Sequence, residues 1–264
     1  MLLCPVRDCH LELERAERRW VCPRGHSFDI ARSGYINLLQ PQERRSKHPG
    51  DTGAAVAARR RLHDRGVTEQ LLRGIATMID ASPSDVVLDA GCGDGFYLGT
   101  LGRQIGFDAH GVDISTSAID LAARRYPPSE GKFEWIVANA DRYLPYGDRS
   151  FSLVLSITAR MNAGEFRRVL RDDGRLLVAL PAPDDLKELR SNTGEAGRDR
   201  VARTVETFAH GFTLAGQRRV EIAAELDAEA VHDLLLSIYR PIRKQPVEAM
   251  RVTFSLDLLL FRVR

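Results

Sequence analysis

The sequence predicts an α/β protein in which one parallel, Rossmann-like sheet is flanked by helices and preceded by a small Cys-rich module. Three observations lead to this prediction. From residue 66 onward, short apolar runs alternate with segments whose apolar residues recur at helical spacing, a pattern typical of βαβ units. A glycine-rich loop at residues 91–95 separates a predicted strand from a predicted helix. Three of the four cysteines lie within the first 22 residues.

Size and composition are those of a globular protein. The chain has 264 residues, of which 44% are apolar and 28% are charged. Its net charge is only +2, so any binding of nucleic acid has to depend on local clusters of charge. No apolar run approaches the roughly 18 residues that cross a bilayer, and no signal-type segment is visible. We expect a cytoplasmic protein without a membrane partner.

The cysteines of the first 36 residues are spaced like metal ligands. Cys4, Cys9, Cys22 and His26 form the pattern C-x4-C-x12-C-x3-H, and zinc takes four such ligands in a tetrahedron. His10 competes with Cys9 for the second position. A segment this short buries too little apolar surface to fold alone. We therefore predict a structural zinc site in a module at residues 1–36.

The next segment, residues 37–65, is polar and basic. Pro41, Pro49 and Gly50 interrupt regular structure there, and a helix is expected near residues 54–65. The segment is interpreted as a solvated linker that runs into a helix.

The remaining residues, 66–264, are predicted to form the main domain. Its elements follow in order: a helix at 68–80, a strand at 85–91, a helix at 96–106, a strand at 107–115, a helix at 117–126, strands at 133–141 and 150–157, a helix at 163–171, a strand at 174–181, a charged region at 184–217 that is part helix and part mobile lid, a strand at 218–224, a helix at 227–239 and a strand at 251–263.

The glycine loop has the pattern D-x-G-x-G-x-G over residues 89–95. Glycines let the backbone approach a ligand closely. Phe96 stands where a dinucleotide fingerprint needs its last glycine. A carboxylate at Asp89 is unfavourable beside a pyrophosphate but suits a cationic amino-acid ligand. Asp113 ends the second strand, where a carboxylate can accept both ribose hydroxyls of a nucleoside.

These features together resemble the class I S-adenosylmethionine-dependent methyltransferases over roughly residues 66–225. The segment "VANADRYLPYGDRSFSLVLS" extends the likeness. The resemblance implies a sheet of that class, S-adenosylmethionine as cofactor, and a set of cofactor-binding residues: Asp89, Gly91, Gly93, Gly95, Tyr97, Leu98, Asp113, Ile114, Asn139, Ala140 and Asp141.

Two further stretches, "CPRGHSFDIARSGYINLL" and "KHPGDTGAAVAARRRLHDRG", closely resemble the bacterial large-subunit rRNA (guanine-N1)-methyltransferases. That family has a zinc module, a linker and a cofactor domain in this order. The resemblance implies methylation of guanine N1 in large-subunit rRNA, which in one branch confers macrolide resistance. It also implies a homodimer in which zinc modules help to form an RNA cleft. The family spacing of the first cysteine pair is C-x2-C, so Cys9 departs from it.

The implied reaction predicts where substrate groups should lie. N1 is on the Watson–Crick edge, so the target base must be unpaired or flipped out. The loop after the fourth strand, "SITARMN", should face it, with Arg160 and Asn162 as the candidates for a catalytic role. Phosphate contacts are predicted for basic residues of the linker and its helix: Arg44, Arg45, Lys47, Arg59, Arg60 and Arg61. Arginines of the zinc module could add to them: Arg7, Arg15, Arg18, Arg19 and Arg24.

Two alternatives remain at this stage. A methyltransferase for a small molecule or natural product could carry an inherited zinc module, and it would have a closed apolar pocket beside the cofactor. A non-catalytic RNA-binding factor would bind RNA without binding the cofactor.

Overall fold

A computed structural model describes residues 1–43, 49–191, 199–238 and 247–264. Its largest feature is an eight-stranded sheet. The strands of this sheet are β4 (Ile36–Asn37), β5 (Val86–Ala90), β6 (Asp108–Asp113), β7 (Phe133–Val137), β8 (Phe151–Ile157), β9 (Leu170–Pro181), β10 (Phe212–Leu226) and β11 (Met250–Val263). The helices are α1 (Gly53–Asp64), α2 (Glu69–Ile79), α3 (Phe96–Ile105), α4 (Thr116–Arg125), α5 (Ala163–Val169), α6 (Lys187–Ser191), α7 (Val201–Phe208) and α8 (Ala228–Ser237).

The strand order is β4-β7-β6-β5-β8-β9-β11-β10, and only β11 runs antiparallel to its neighbours. The predicted Rossmann-like sheet is therefore confirmed. The order reverses between β5 and β8, which pair in parallel. Ligands of such sheets bind outside the carboxyl ends of the strands at this switch point. The glycine loop follows β5 and so lies there.

Several predicted boundaries move in the second half of the chain. β9 begins at Leu170, inside the segment predicted as a helix, because α5 ends at Val169. β10 begins at Phe212, inside the region predicted as part helix and part lid, and it is 15 residues long. Its side chains alternate between half-buried and exposed because it is the edge strand. Residues 192–198 of that region, and Tyr239 at the predicted end of the helix now called α8, lie outside the described residues.

The predicted linker contains regular structure that belongs to the main domain. Ile36 and Asn37 form β4, which pairs with Ile136 and Val137 of β7 at one edge of the large sheet. The boundary predicted at residue 36 thus falls inside a strand. Helix α1 is close to the prediction, and the side chain of its N-cap residue Thr52 accepts a hydrogen bond from Ala55 N.

The N-terminal module covers a face of the large sheet. It holds a small antiparallel sheet of β1 (Glu14–Ala16), β2 (Arg19–Val21) and β3 (Ser27–Asp29). Residues 138–150, which join β7 to β8, form no helix. The module packs where a crossover helix would lie: Leu2 pairs with Tyr146, and Leu3 N donates to Pro145 O at 2.9 Å. Leu2 and Leu13 share a buried cluster with Val154 of the sheet.

Helix α1 is fixed to the glycine loop by a buried ion pair. The Arg60 guanidinium donates to Asp94 Oδ2 at 3.2 Å and to Asp64 Oδ1 at 3.2 Å. Its remaining nitrogen lies 3.4 Å from the Tyr126 hydroxyl. The side chains of Arg60 and Asp94 are only 10% and 4% exposed. A charge buried to this degree must be paired, so α1 and the loop hold each other in place.

Replacing one member of this pair is expected to destabilise the whole chain. Arg60→Gln leaves Asp94 buried without its cation, and the free energy of unfolding should fall by about 3 kcal/mol. Urea unfolding followed by circular dichroism measures the change. Arg73→Gln is the matched control, because Arg73 pairs with Glu69 on an exposed helix face and should change stability little. Equal effects of the two substitutions would contradict the buried role of Arg60.

Candidate functional site

The glycine loop after β5 needs its glycines for two separate reasons. Gly91 has φ +89°, and a Cβ there would lie 2.5 Å from the Cβ of Ala159. Gly95 begins α3 with φ +71°, and a Cβ there would lie 2.6 Å from the Trp135 ring. The loop backbone is held down because Gly91 N and Cys92 N both donate to Val112 O. The result is an open backbone surface at a helix N-terminus, where unpaired N–H groups can face a ligand.

Asp89 lies below this loop, and one of its carboxyl oxygens has no hydrogen-bond partner in the described part of the chain. Its carboxyl group is 2% exposed, and its Oδ1 accepts no hydrogen bond from the described residues. Burial, together with the nearby charge of Asp113, raises the pKa of Asp89 to about 8. A buried carboxyl group with an unused oxygen is costly. This position therefore suits a ligand that brings a positive charge or a hydrogen-bond donor.

Asp113 ends β6 beside the same loop. Its two oxygens accept hydrogen bonds from Gly93 N at 2.9 Å and from Ser115 N at 2.8 Å. Burial raises its pKa, and these two backbone donors work against the rise. Each carboxylate oxygen keeps a further lone pair, so the backbone bonds orient Asp113 and leave it able to accept from a ligand.

The residues after β7 form a second part of the site at the carboxyl ends of the strands. Asn139 Oδ1 accepts from Asp141 N at 3.1 Å, which fixes the turn that contains Ala140. Arg160 donates to Asp141 Oδ2 at 3.3 Å, and its side chain is 67% exposed. Asn162 caps α5 through Oδ1 and donates to Asp141 O through Nδ2. Both the oxygen and the nitrogen of the Asn162 side chain therefore have structural partners, whereas most of the Arg160 side chain is open to solvent.

Two residues of α3 that the resemblance implied as cofactor contacts have different surroundings. The Leu98 side chain is fully buried in the core, so it packs rather than faces a ligand. Tyr97 is half-buried, and its ring meets His63 of α1 edge to face at 5.7 Å. His63 also stacks on Phe96 at 4.0 Å. Burial lowers the pKa of His63 to about 4, so a neutral imidazole braces the start of α3. Ile114 is half-buried and lies against Gly50.

The structure changes the interpretation of the basic residues. Arg44, Arg45 and Lys47 lie outside the described residues. The prediction that the arginines at 59, 60 and 61 track phosphates is not supported by their contacts. Arg59 pairs with Asp51, and Arg60 is buried on Asp94. Arg61 makes a bidentate pair with Asp233 of α8. These side chains dock α1 onto the main domain, which the sequence spacing alone could not indicate.

The four predicted metal ligands come together in the N-terminal module. The ligand atoms of Cys4, Cys9, Cys22 and His26 all lie within 4.8 Å of one another, and all of these cysteines are free thiols. Cys9 Sγ and Cys22 Sγ are 3.8 Å apart, which is the edge of a tetrahedron with Zn–S bonds of about 2.3 Å. The His26 Nδ1 atom lies 3.4 Å from Cys4 Sγ and 3.3 Å from Cys22 Sγ. The residues fit one zinc ion with four protein ligands.

The irregular first cysteine pair is accommodated by its turn. Asp8 and His10 both adopt positive φ angles, 60° and 47°. This conformation turns Cys9 towards the other ligands and His10 away from them. The His10 ring packs against Tyr143 at 4.7 Å instead. His10 is thus not part of the ligand set.

Comparisons with known proteins point to one family. Residues 2–47 match the family described as "RlmA, N-terminal", and residues 87–178 match "Methyltransferase domain". The chain is 35% identical over 238 residues to the "23S rRNA (guanine(748)-N(1))-methyltransferase" of Streptomyces fradiae, covering 87% of this chain and 81% of that protein. It is 32% identical over 247 residues to a "Putative 23S rRNA (guanine-N(1)-)-methyltransferase" of Bacillus subtilis, covering 89% and 84%.

Solved structures agree on the fold. A methyltransferase in complex with the Trm112 activator of Haloferax volcanii covers 79% of this chain and 93% of its own, with a TM-score of 0.54 at 19% identity. At this identity the likeness concerns the arrangement of the sheet alone. In the described part of the chain, no helix has the length and apolar character needed to cross a membrane.

The buried Asp89 should give the chain a distinctive pH dependence. Its pKa is about 8 in the folded chain and near 4 when unfolded, so the folded form retains a proton over that range. Its contribution to stability is therefore full below about pH 4 and decreases by about 1.4 kcal/mol per pH unit as the pH rises towards 8. Asp89→Asn should remove this slope. Urea unfolding at pH 5 and pH 7.5 compares the two proteins, and identical pH dependence would show that the carboxyl group is not buried as described.

Removing the metal should affect far more than the module. Because the module covers a face of the main sheet, Cys22→Ser or chelation should lower the melting temperature of the whole chain in one transition. Metal analysis should find one zinc per wild-type chain and a large loss in Cys22→Ser. His10→Gln is the matched control and should retain the zinc. A main domain that melts at an unchanged temperature without metal would contradict the covering role.

Proposed function

Because the chain belongs to the 23S rRNA (guanine-N1)-methyltransferase family, we propose that it transfers a methyl group from S-adenosylmethionine to N1 of a guanine in large-subunit rRNA. One observation carries the proposal. The relatives that act on rRNA align with 87% and 89% of this chain, so the likeness includes the metal module as well as the catalytic domain. A likeness restricted to the domain at residues 66–264 would have favoured other methyltransferases equally.

The site fits the cofactor on its own chemistry. The cofactor supplies a methyl group already activated on a sulfonium. In our proposal, the buried Asp89 carboxylate accepts from the amino group of the methionine moiety, and Gly91, Gly93 and Gly95 let the backbone approach it. Asp113, oriented by two backbone N–H groups, accepts from the ribose hydroxyls. Asn139, Ala140 and Asp141 line the adenine.

The target base is proposed to enter beside Arg160. Methyl transfer needs mainly an in-line approach, so the chain has to hold an unpaired or flipped guanine against the cofactor edge. Arg160 is exposed at the rim and anchored to Asp141. We assign it to the O6 oxygen of the guanine, where negative charge develops as N1 gives its proton to solvent water. N1 then takes the methyl group as the S–CH3 bond of the sulfonium breaks to leave a neutral thioether. Asn162 is assigned to positioning Asp141.

The RNA surface is proposed to centre on the metal module. Arg15, Arg18 and Arg19 are exposed on or beside its small sheet, where they can contact phosphates. Arg44, Arg45 and Lys47 remain proposed RNA contacts on sequence grounds. The proposal also includes a homodimer with a shared RNA cleft and action in the cytoplasm, where ribosomal RNA is found.

The decisive experiment measures transfer of a labelled methyl group to rRNA. Purified protein, S-adenosylmethionine with a labelled methyl group and large-subunit rRNA should give N1-methylguanine at one nucleotide, located by mass mapping and primer extension. Growth with and without a macrolide then measures any resistance that the modification confers. Arg160→Gln should lower kcat for rRNA at least about tenfold, as expected for loss of a charged contact.

Two outcomes would favour the alternatives. Transfer of label to small molecules without labelling of rRNA would indicate a natural-product methyltransferase. Salt-dependent RNA binding without cofactor binding would indicate a non-catalytic RNA-binding factor.

A further inference from the structure

Arg59 links helix α1 to Asp51 and to the end of α8. It lies on α1, and its Nη2 atom is 2.6 Å from Asp51 Oδ2. The same nitrogen donates to Ser237 O at the end of α8, at 2.9 Å. The ion pair and the hydrogen bond both hold the Nη2 side of the guanidinium, and its planar shape then determines where the other nitrogens point.

The free side of this guanidinium faces the glycine loop. A Cβ added to Gly93 would lie 3.6 Å from Arg59 Nη1. Within the described parts of the chain, Nη1 makes no hydrogen bond. The Arg59 side chain is 29% exposed, so a ligand on the loop can reach it. Burial raises the pKa of Asp113, and the positive charge of Arg59 opposes that rise. Arg59 is therefore close enough to the loop to interact with the Asp113 carboxyl group.

The two following arginines are not available for such a role. Arg60 donates through three nitrogens to Asp64, Asp94 and Tyr126. Arg61 points to α8 and is bidentate to Asp233. The three consecutive arginines thus contact three different parts of the chain, and Arg59 is the one whose guanidinium lies beside Gly93.

Asp51 is held rigidly beside the loop. Its backbone oxygen accepts from Ser115 Oγ at 2.8 Å, directly after β6. Gly50 has φ +81°, and a Cβ there would lie 2.8 Å from the Ser115 Cβ. The segment at residues 49–52 therefore lies closely over the end of β6, and the Asp51 carboxylate holds Arg59 from that fixed point.

The charges around the loop need a cation if an amino acid with a free carboxylate binds there. Asp113, and Asp89 once it ionises beside an ammonium group, repel the carboxylate of such a ligand, while Asp94 is paired with Arg60. Arg59 is paired with Asp51 through Nη2, and its Nη1 remains a cationic donor on the open side. A zwitterionic amino acid would then find an anion for its ammonium group and a cation for its carboxylate.

We propose that Arg59 Nη1 binds the carboxylate of the cofactor's methionine moiety, and that Asp51 is a positioning residue that holds Arg59 for this contact. This inference rests on the proposed function only in that it takes S-adenosylmethionine as the cofactor. It assigns to the linker helix a part of the cofactor site that lies outside the residues 66–264.

Calorimetry with two ligands tests the assignment. S-adenosylhomocysteine carries the carboxylate, and its decarboxylated analogue, with hydrogen in place of that group, does not. Arg59→Gln should weaken binding of S-adenosylhomocysteine by about 10- to 100-fold, the usual value of a charge-assisted contact, and leave the analogue's affinity within about twofold of wild type. Asp51→Asn should act in the same direction but by only about 3- to 10-fold.

Arg73→Gln is the control, since it removes an exposed guanidinium that pairs with Glu69 on α2, and it should leave both affinities unchanged. Equal losses for both ligands in Arg59→Gln would mean a purely structural role and overturn the inference. Tighter binding of S-adenosylhomocysteine to Asp51→Asn would make Asp51 a competitor rather than a positioning residue, and would also overturn it. If Arg59→Gln unfolds, the affinities of Asp51→Asn for S-adenosylhomocysteine and for the decarboxylated analogue still test the inference.

The assay contains no RNA, so its outcome is independent of the proposed substrate. A carboxylate-specific loss together with labelled small molecules would retain the inference and reject the rRNA function. Labelled rRNA, together with an unchanged affinity of Arg59→Gln for S-adenosylhomocysteine, would support the rRNA function and reject the inference about Arg59.

Discussion

The structure depends on one mutual constraint between the metal module and the large sheet. The connection from β7 to β8 contains no helix, so part of one face of the sheet lacks the helical cover that a parallel sheet requires. The module supplies that cover through Leu2, Leu13 and its buried cysteines. In turn, a segment so small cannot fold on its own apolar surface. The tetrahedral ligand cluster therefore stabilises the module, and the module completes the core of the catalytic domain.

A second constraint is electrostatic and concerns helix α1. In the sequence alone, the run of arginines at residues 59–61 resembles an RNA-binding segment. In three dimensions its charges neutralise Asp51, Asp94 and Asp233, which belong to three different parts of the molecule. Removing one member of the buried Arg60–Asp94 pair would leave an unpaired buried charge and destabilise the chain. The helix thereby ties the segment after the metal module to the loop that would hold the cofactor.

These two constraints give the chain a single continuous organisation. The metal module, β4 and α1 precede the main domain in sequence, yet each contributes to its core, its sheet edge or its cofactor edge. A surface for RNA on the module would therefore be rigidly connected to the site of methyl transfer. Rigid placement of the target base is what such a reaction mainly needs.

The sequence by itself determined the Rossmann-like sheet, although not the antiparallel direction of β11, and it determined the glycine loop with Asp89 and Asp113 and the four metal ligands. These follow from local patterns: strand–helix alternation, glycines at fixed spacing, and cysteine pairs on short turns. It did not determine that β10 begins at Phe212, because an exposed edge strand carries polar residues that resemble a loop. Nor did it determine the partners of Arg59, Arg60 and Arg61, or the packing of the module on the sheet. Those depend on contacts between residues as much as 178 positions apart, and only the folded chain brings such residues together.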